Sequence, residues 1–316
     1  MGDFGKLFNK VGGKEILRQY AQTGVLFFAL TETLRMGFSK KGLEIVREAV
    51  NYKKLNKIRK KYSGKIESYR RSHPENKAKH KFSDNVWICW LQGMEQAPPL
   101  VQRCYRSVCE NLPPERKVVV LTEDNYREYV KFPKHIQQKI DSGIITKTHF
   151  SDLLRLELLN RYGGTWIDAT VFLSDKNIPE YMLRSELFMF QMLKPGRDAH
   201  AAITSSWFMT AHSAHPILML TQYLLYDYWK DHNSLIDYFL LHDFMQLAIE
   251  TYPQEWDKVV PFSNALPHIL LLRLFEPYDE RIWKAVKDMT PVHKLTYKFS
   301  DEDTRKKGTY YKEILR

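Results

Sequence analysis

Apolar positions change their spacing along this chain, and the changes divide it in two. Between residues 14 and 61 they recur in steps of three to five: Ile16, Tyr20, Val25 and Phe28, then Leu43, Val46, Val50 and Leu55. Such steps predict two or three helices, each with one apolar stripe. Residues 63–81 are polar, contain Gly64 and Pro74, and read as a linker. From residue 85 the pattern becomes short unbroken apolar runs. Asn85-Val86-Trp87-Ile88-Cys89-Trp90-Leu91, closed by Gln92-Gly93, and Val118-Val119-Val120-Leu121-Thr122 read as buried strands. A helix opening at Pro98-Pro99 and running over 100–111 lies between them, because proline suits a first helical turn. Helices at 123–130, 133–141 and 149–162 follow, the last stopped by Gly163-Gly164, then a strand at 165–173. This alternation predicts a parallel sheet with right-handed crossovers. Beyond residue 180 it loosens into strands at 187–191 and 206–210 and helices at 217–230 and 235–251. The tail from 252 is mixed, with a basic, aromatic end at 293–316.

Length and composition narrow the picture. A chain of 316 residues fits one α/β domain with extra helices, and 44% apolar residues exclude disorder as the overall state. The formal charge of +11 points to a phosphate-bearing partner until it is located. Residues 1–81 hold 20 Lys/Arg against 7 Asp/Glu, so the remainder is close to neutral. The expected division is a basic helical extension and linker over 1–81 and a catalytic domain over 82–316. Cys89, Cys104 and Cys109 lack disulfide-framework or zinc spacing, which favours buried thiols in a reducing compartment. The apolar run at 25–30 is far short of the ~20 residues of a membrane span and lies too deep for a secretory signal. The expected location is cytoplasmic, with peripheral attachment to the inner face of the membrane.

The densest chemistry lies in Ser151-Asp152-Leu153-Leu154-Arg155 and Gly163-Gly164-Thr165-Trp166-Ile167-Asp168-Ala169-Thr170. Ser151 suits a helix N-cap, and Asp152 and Arg155 share a helix face. Their ordinary reading is a local ion pair. The leucines around them instead put that pair at the edge of the core, and open parallel sheets bind ligands beyond the carboxyl ends of their strands. Asp168 follows Ile167 deep in an apolar strand, where a carboxylate needs a metal, a cation or a hydrogen-bonding ligand. His242 and Asp243 interrupt an apolar helix, as candidate catalytic groups or as capping and core-satisfying ones. His212 and His215 lack a third metal ligand, and no zinc-protease, phosphate-loop or nucleophile-elbow motif occurs.

Together these motifs resemble a group of GT-A glycosyltransferases that includes the family 32 enzymes and the glucosylating clostridial toxins. They resemble most fully the bacterial capsular polysaccharide synthesis proteins. Trp87 through Gly93, Pro98-Pro99, Lys147 through Asp152, Gly163 through Val171 and His293 through Lys298 carry the likeness, over about 85 to 300. The resemblance implies a GT-A-like, Rossmann-like, mostly parallel sheet flanked by helices. It implies a retaining hexosyltransferase that moves a sugar from a nucleotide-sugar donor, UDP-linked, to a growing capsular or surface polysaccharide. Trp90 and Gln92 would hold the base. Asp152 and Arg155 would bind the ribose and the donor sugar or diphosphate. Asp168 would be the first acid of the Asp-x-Asp motif that binds Mn²⁺ or Mg²⁺, with His293 as a further ligand. Lys294 would neutralise the diphosphate, and His242 and Asp243 would serve the acceptor. The chain departs from the motif at Thr170, where a second carboxylate is expected, and a hydroxyl is a weaker ligand for a hard cation.

The implied partners are the donor, a glycan or lipid-linked glycan acceptor, and an anionic membrane surface reached through residues 1–81. A nucleic-acid partner is not expected, because the body is neutral and the basic run lacks interleaved Arg and aromatic residues. The rival readings are a catalytically degenerate nucleotide-sugar or glycan binder, motivated by Thr170, and a basic scaffold protein binding nucleic acid or membrane.

Overall fold

The computed structural model describes residues 13–73, 81–192 and 200–316. Five strands form the central sheet: β1 (Asn85–Cys89), β2 (Lys117–Leu121), β3 (Gly164–Ile167), β5 (Leu187–Gln191) and β6 (Thr204–Ala211), in the order β2-β1-β3-β6-β5. Two further strands, β4 (Val171–Leu173) and β7 (Val292–Lys294), pair antiparallel as a separate ribbon. β1 runs parallel to both β2 and β3. β6 then pairs antiparallel with β3 and β5 and completes the sheet. The chain thus has the α/β architecture, with helices on both faces of the sheet, that the apolar runs imply.

Side chains alternate across the sheet and feed two cores. Trp87 and Trp166 face the side covered by the helices Lys147–Tyr162, Pro216–Asp231 and Leu240–Thr251. Val86, Ile88 and Ile167 face the side covered by the helix Pro99–Asn111. One glycine lets β3 approach β1. Gly164 has φ +97°, and a Cβ there would lie 2.3 Å from the Asn85 carbonyl oxygen. No other residue fits so close a backbone contact.

The apolar run at 165–173 is two strands, not one. Val171 N–H donates to the Asp168 carbonyl at 2.9 Å, and this turn takes the chain out of the central sheet to pair with β7. Asp168 and Thr170 therefore sit in a turn at the carboxyl end of the central strand β3 rather than within a strand.

The basic extension also departs from expectation. One helix spans Lys40–Ser72, capped by the Ser39 hydroxyl, which accepts from Gly42 N–H. Residues 63–72 continue that helix instead of forming a linker, and the rest of the expected linker, 74–80, lies outside the described residues. The reason is a stripe at three- and four-residue steps, Leu55, Ile58, Tyr62, Ile66 and Tyr69, which packs into the main core. Gly64 costs roughly 1 kcal/mol in a helix interior, less than burial of one tyrosine returns. Tyr62 stands edge-on to Phe244 with ring centroids 4.8 Å apart. Part of the basic charge is spent inside the molecule. Lys54 forms a buried ion pair with Asp237, Lys65 pairs with Asp227, and Arg59 grips Glu250 at 2.7 Å. The preceding helix, Leu26–Met36, folds back on the long one through a small cluster of Val25, Ala29, Val46 and Val50.

Candidate active site

The helix Lys147–Tyr162 positions the first part of the site. Its cap is Thr146, whose hydroxyl accepts from His149 N–H, so Ser151 lies inside the helix and not at its end. Ser151 instead holds Arg155: its carbonyl accepts from Nε at 3.2 Å and its hydroxyl from Nη2 at 3.1 Å. The Ser206 carbonyl accepts from Nη1 at 2.5 Å, and the guanidinium lies 5.0 Å from the Trp166 ring centroid. A guanidinium held on two sides and stacked on a third is a fixed cation. It lies 3.3 Å from Asp152 and 3.6 Å from Asp168, and so bridges the two acids.

Asp168 is the centre of the group. Trp166, two residues earlier and on the same side of β3, donates its indole N–H to Oδ1 at 2.9 Å. Lys294 donates to Oδ2 at 2.9 Å and to the Thr170 hydroxyl at 2.6 Å. About a quarter of the Asp168 side chain, 27%, stays open to solvent. Burial pushes its carboxyl up, but Lys294 and Arg155 outweigh that and hold it below the usual carboxylate range. Asp152 behaves alike: burial opposes ionisation, and Arg155 and then His149 overcome it. Both acids are anionic at neutral pH. The cluster stands beyond the carboxyl ends of β1 and β3, where an open α/β sheet places its ligands.

The other expected residues divide between this cluster and elsewhere. Trp90 follows β1, with its ring edge-on to Tyr297 at 5.4 Å and its indole N–H buried without a hydrogen-bond partner. Leu295 N–H donates to the Thr170 carbonyl at 2.9 Å, which ties the Tyr297 segment to the Asp168 turn. Gln92 is exposed in the turn after β1. His242 feels the charges of Asp152 and Asp168, yet burial dominates and lowers its pKa below that of a free histidine. It is a neutral imidazole beside the site at pH 7.

Two assignments need correction. Asp243 does not join the cluster. One helix position is a rotation of about 100°, and this turns Asp243 toward Asp237 and Lys54 at the contact with the long helix. There burial first, and then the Asp237 charge, raise its carboxyl well above the usual range. His293 does not join it either. In β7, His293 and Lys294 point to opposite sides, and the register pairs Lys294 with Val171. Lys294 thus reaches Asp168, while His293 lies against Phe172 and Trp283 with Nε2 2.8 Å from the Ser174 hydroxyl. Burial pushes its pKa down to about 3.

A resident divalent cation does not fit this donor set. The one carboxylate beside Thr170 already carries an ammonium on one oxygen and an indole N–H on the other. Among the described residues no three His, Cys, Asp or Glu side chains cluster as a metal site.

Several neighbours were not legible as site residues. Cys89, read as a core thiol, ends β1 within reach of the Arg155 and Asp168 charges, with burial raising its pKa to about 12. Tyr238 is about half exposed, and partial burial, then the charges of Asp152 and Asp168, raise the pKa of its phenol. Its proximity to His242 in the sequence was the available signal. The Ser206 carbonyl that fixes Arg155 has no signal in the sequence, since any residue supplies it.

An α/β sheet with paired acids and bases beyond its strand ends defines a class of fold that binds polar ligands there. The family model for the capsular polysaccharide synthesis protein matches residues 36–314, and the chain belongs to that family. The match takes in the long N-terminal helix as well as the sheet. Among curated relatives, the O-glycosyltransferase braB of Annulohypoxylon truncatum is 37% identical over 97 residues, 28% of this chain and 23% of that protein. The O-glycosyltransferase PaGT of Phomopsis amygdali is 29% identical over 141 residues, 40% of this chain and 34% of that protein. The chain thus matches a quarter to a third of the length of these relatives. A solved structure, the PaToxG glycosyltransferase, aligns at a TM-score of 0.39 and 12% identity, covering 85% of this chain and 96% of that one.

Proposed function

We propose that this chain is a glycosyltransferase. It moves a sugar from a nucleotide-sugar donor, UDP-linked, to a hydroxyl of a growing surface polysaccharide held at the membrane on a lipid carrier, with retention at the anomeric carbon. The observation that carries the proposal is the Asp168 cluster: a fixed Arg155 and Lys294 converge on one partly open carboxylate at the end of β3. The family and the relatives' O-glycosyltransferase names support the same reading.

In this reading each residue has a distinct task. The bond from the anomeric carbon to the diphosphate oxygen breaks, and negative charge grows on the leaving group. Arg155 and Lys294 stabilise that charge, and a donor so positioned is worth about 10²–10³ in rate in comparable sites. Asp168 holds both cations in place before the donor arrives and faces the anomeric carbon, which gains oxocarbenium character. Asp152 and Ser151 orient Arg155. Trp90 and Tyr297 border the place of the base. His242, neutral at pH 7, stands on the acceptor side and takes the hydroxyl proton. The charge that the resemblance assigns to Mn²⁺ or Mg²⁺ falls here to Lys294 and Arg155.

The test is nucleotide release and sugar transfer from a panel of nucleotide sugars, with Asp168→Asn as control. Turnover by the wild type, lost in the control, supports the proposal. Thermal stabilisation by a donor without any turnover would instead favour the degenerate, binding-only reading.

A further inference from the structure

The helix Leu26–Met36 is turned inside out. Of its residues only Ala29 is buried, although the sequence is Leu-Phe-Phe-Ala-Leu-Thr-Glu-Thr-Leu-Arg-Met. Phe27, Leu30 and Leu34 recur at steps of three and four and form one face, the one pointing away from the protein. Phe27 is 84% exposed and Leu34 74%. Phe38, just past the helix end, is 60% exposed. On the neighbouring helix Ile45 and Tyr52, seven residues apart, are exposed as well. A water-facing helix with its large apolar side chains outward is costly unless something covers it.

We propose that this face lies on an anionic lipid surface, with Phe27, Leu30, Leu34 and Phe38 in the headgroup–acyl boundary. The inference rests on the proposed function only in that the acceptor is membrane-borne. The contact itself is argued from these residues. The bordering charges choose the occupant. Residues 26–53 carry five basic and three acidic side chains, and Arg35 and Arg47 pair with Glu32 and Glu48. Lys40 and Lys41, at the hairpin between the helices, are exposed and make no ion pair among the described residues. A second copy of the chain would bring the same lysines against one another, whereas phosphate headgroups neutralise them. No described helix is long and apolar enough to cross a membrane, and an apolar face on an 11-residue helix suits a position along the surface.

Co-sedimentation of the full chain with phosphatidylcholine vesicles, with and without phosphatidylglycerol, tests this. No donor or acceptor is added, so the result is independent of transfer. The wild type should bind the anionic vesicles. Phe27→Gln with Leu34→Gln changes only exposed positions and should weaken that binding by roughly tenfold or more. Lys40→Gln with Lys41→Gln should weaken it on anionic vesicles and leave the weak binding to neutral ones unchanged. Circular dichroism of each variant confirms the fold, and transfer to a soluble acceptor should persist in both. Wild-type failure to bind anionic vesicles, or unchanged binding of Phe27→Gln/Leu34→Gln, would overturn the proposal. So would a dimer in sedimentation that the glutamine variant dissolves, because the face would then belong to a second copy.

Discussion

Lys54→Met asks whether the N-terminal helix is part of the folded body or an appendage. Lys54 and Asp237 pair with their side chains only 5% and 4% exposed. Asp237 also accepts from Phe239 N–H at 2.9 Å, and Asp243 lies against it with its carboxyl pKa raised by burial and by the Asp237 charge. Two carboxyl groups thus share one cation. Removing that cation leaves the buried carboxylate of Asp237 uncompensated, at a cost of about 3–5 kcal/mol. In a chain of this size that lowers the melting temperature by roughly 10 °C. Lys54→Met with Asp237→Asn removes both charges and should recover most of the loss, because the penalty lies in the stranded ion and not in the missing pair. Urea denaturation followed by circular dichroism measures all three proteins. If Lys54→Met stays within about 1 kcal/mol of wild type, the contact is hydrated and the helix is not integral. If the double variant is as damaged as the single one, the electrostatic reasoning fails.

Four further outcomes follow from the same structure. Tyr62→Ala removes a ring buried against Phe244 and should cost about 3–5 kcal/mol, so a chain lacking residues 1–72 should not fold stably. Asp243→Asn should flatten the dependence of stability on pH. The folded carboxyl titrates above its unfolded value, so the stability it contributes is complete below about pH 4 and is lost as pH rises toward the raised value. Urea melts at pH 5 and pH 8 should show the variant gaining on wild type at the higher pH. Lys294→Met should lower transfer about 10²-fold, seen in initial rates, while leaving the unfolding midpoint close to wild type. Chelation by EDTA should leave most wild-type transfer intact, and loss restored by Mn²⁺ would return the central charge to a metal.

Strands β1, β2 and β5 were legible as apolar runs bounded by polar or turn residues, and β6 by its apolar middle, Trp207-Phe208-Met209. The run at 165–173 misled for the same reason. Asp168-Ala169-Thr170 looks like strand by apolar neighbours, and only the Val171-to-Asp168 hydrogen bond makes it a turn. The linker reading of 63–81 followed composition: Gly64 and the charges obscured Ile66 and Tyr69, which continue the stripe at helical spacing. At the site, Asp152, Arg155, Asp168 and Lys294 stood out as charges next to apolar runs, and the fold brings them together. Adjacent pairs were harder. His293 and Lys294 must face opposite ways in a strand, and His242 and Asp243 lie about 100° apart on a helix. Which member of each pair faces Asp168 depends on β4–β7 register and helix rotation, both set by partners far away in sequence.

The most direct measurement is sugar transfer and nucleotide release from UDP-linked donors by the purified full chain, beside Asp168→Asn. The account predicts turnover that falls by roughly 10²-fold or more in the variant while the donor still stabilises the wild type against heat. Wild-type turnover no higher than that of Asp168→Asn, with every nucleotide sugar tried, would contradict it.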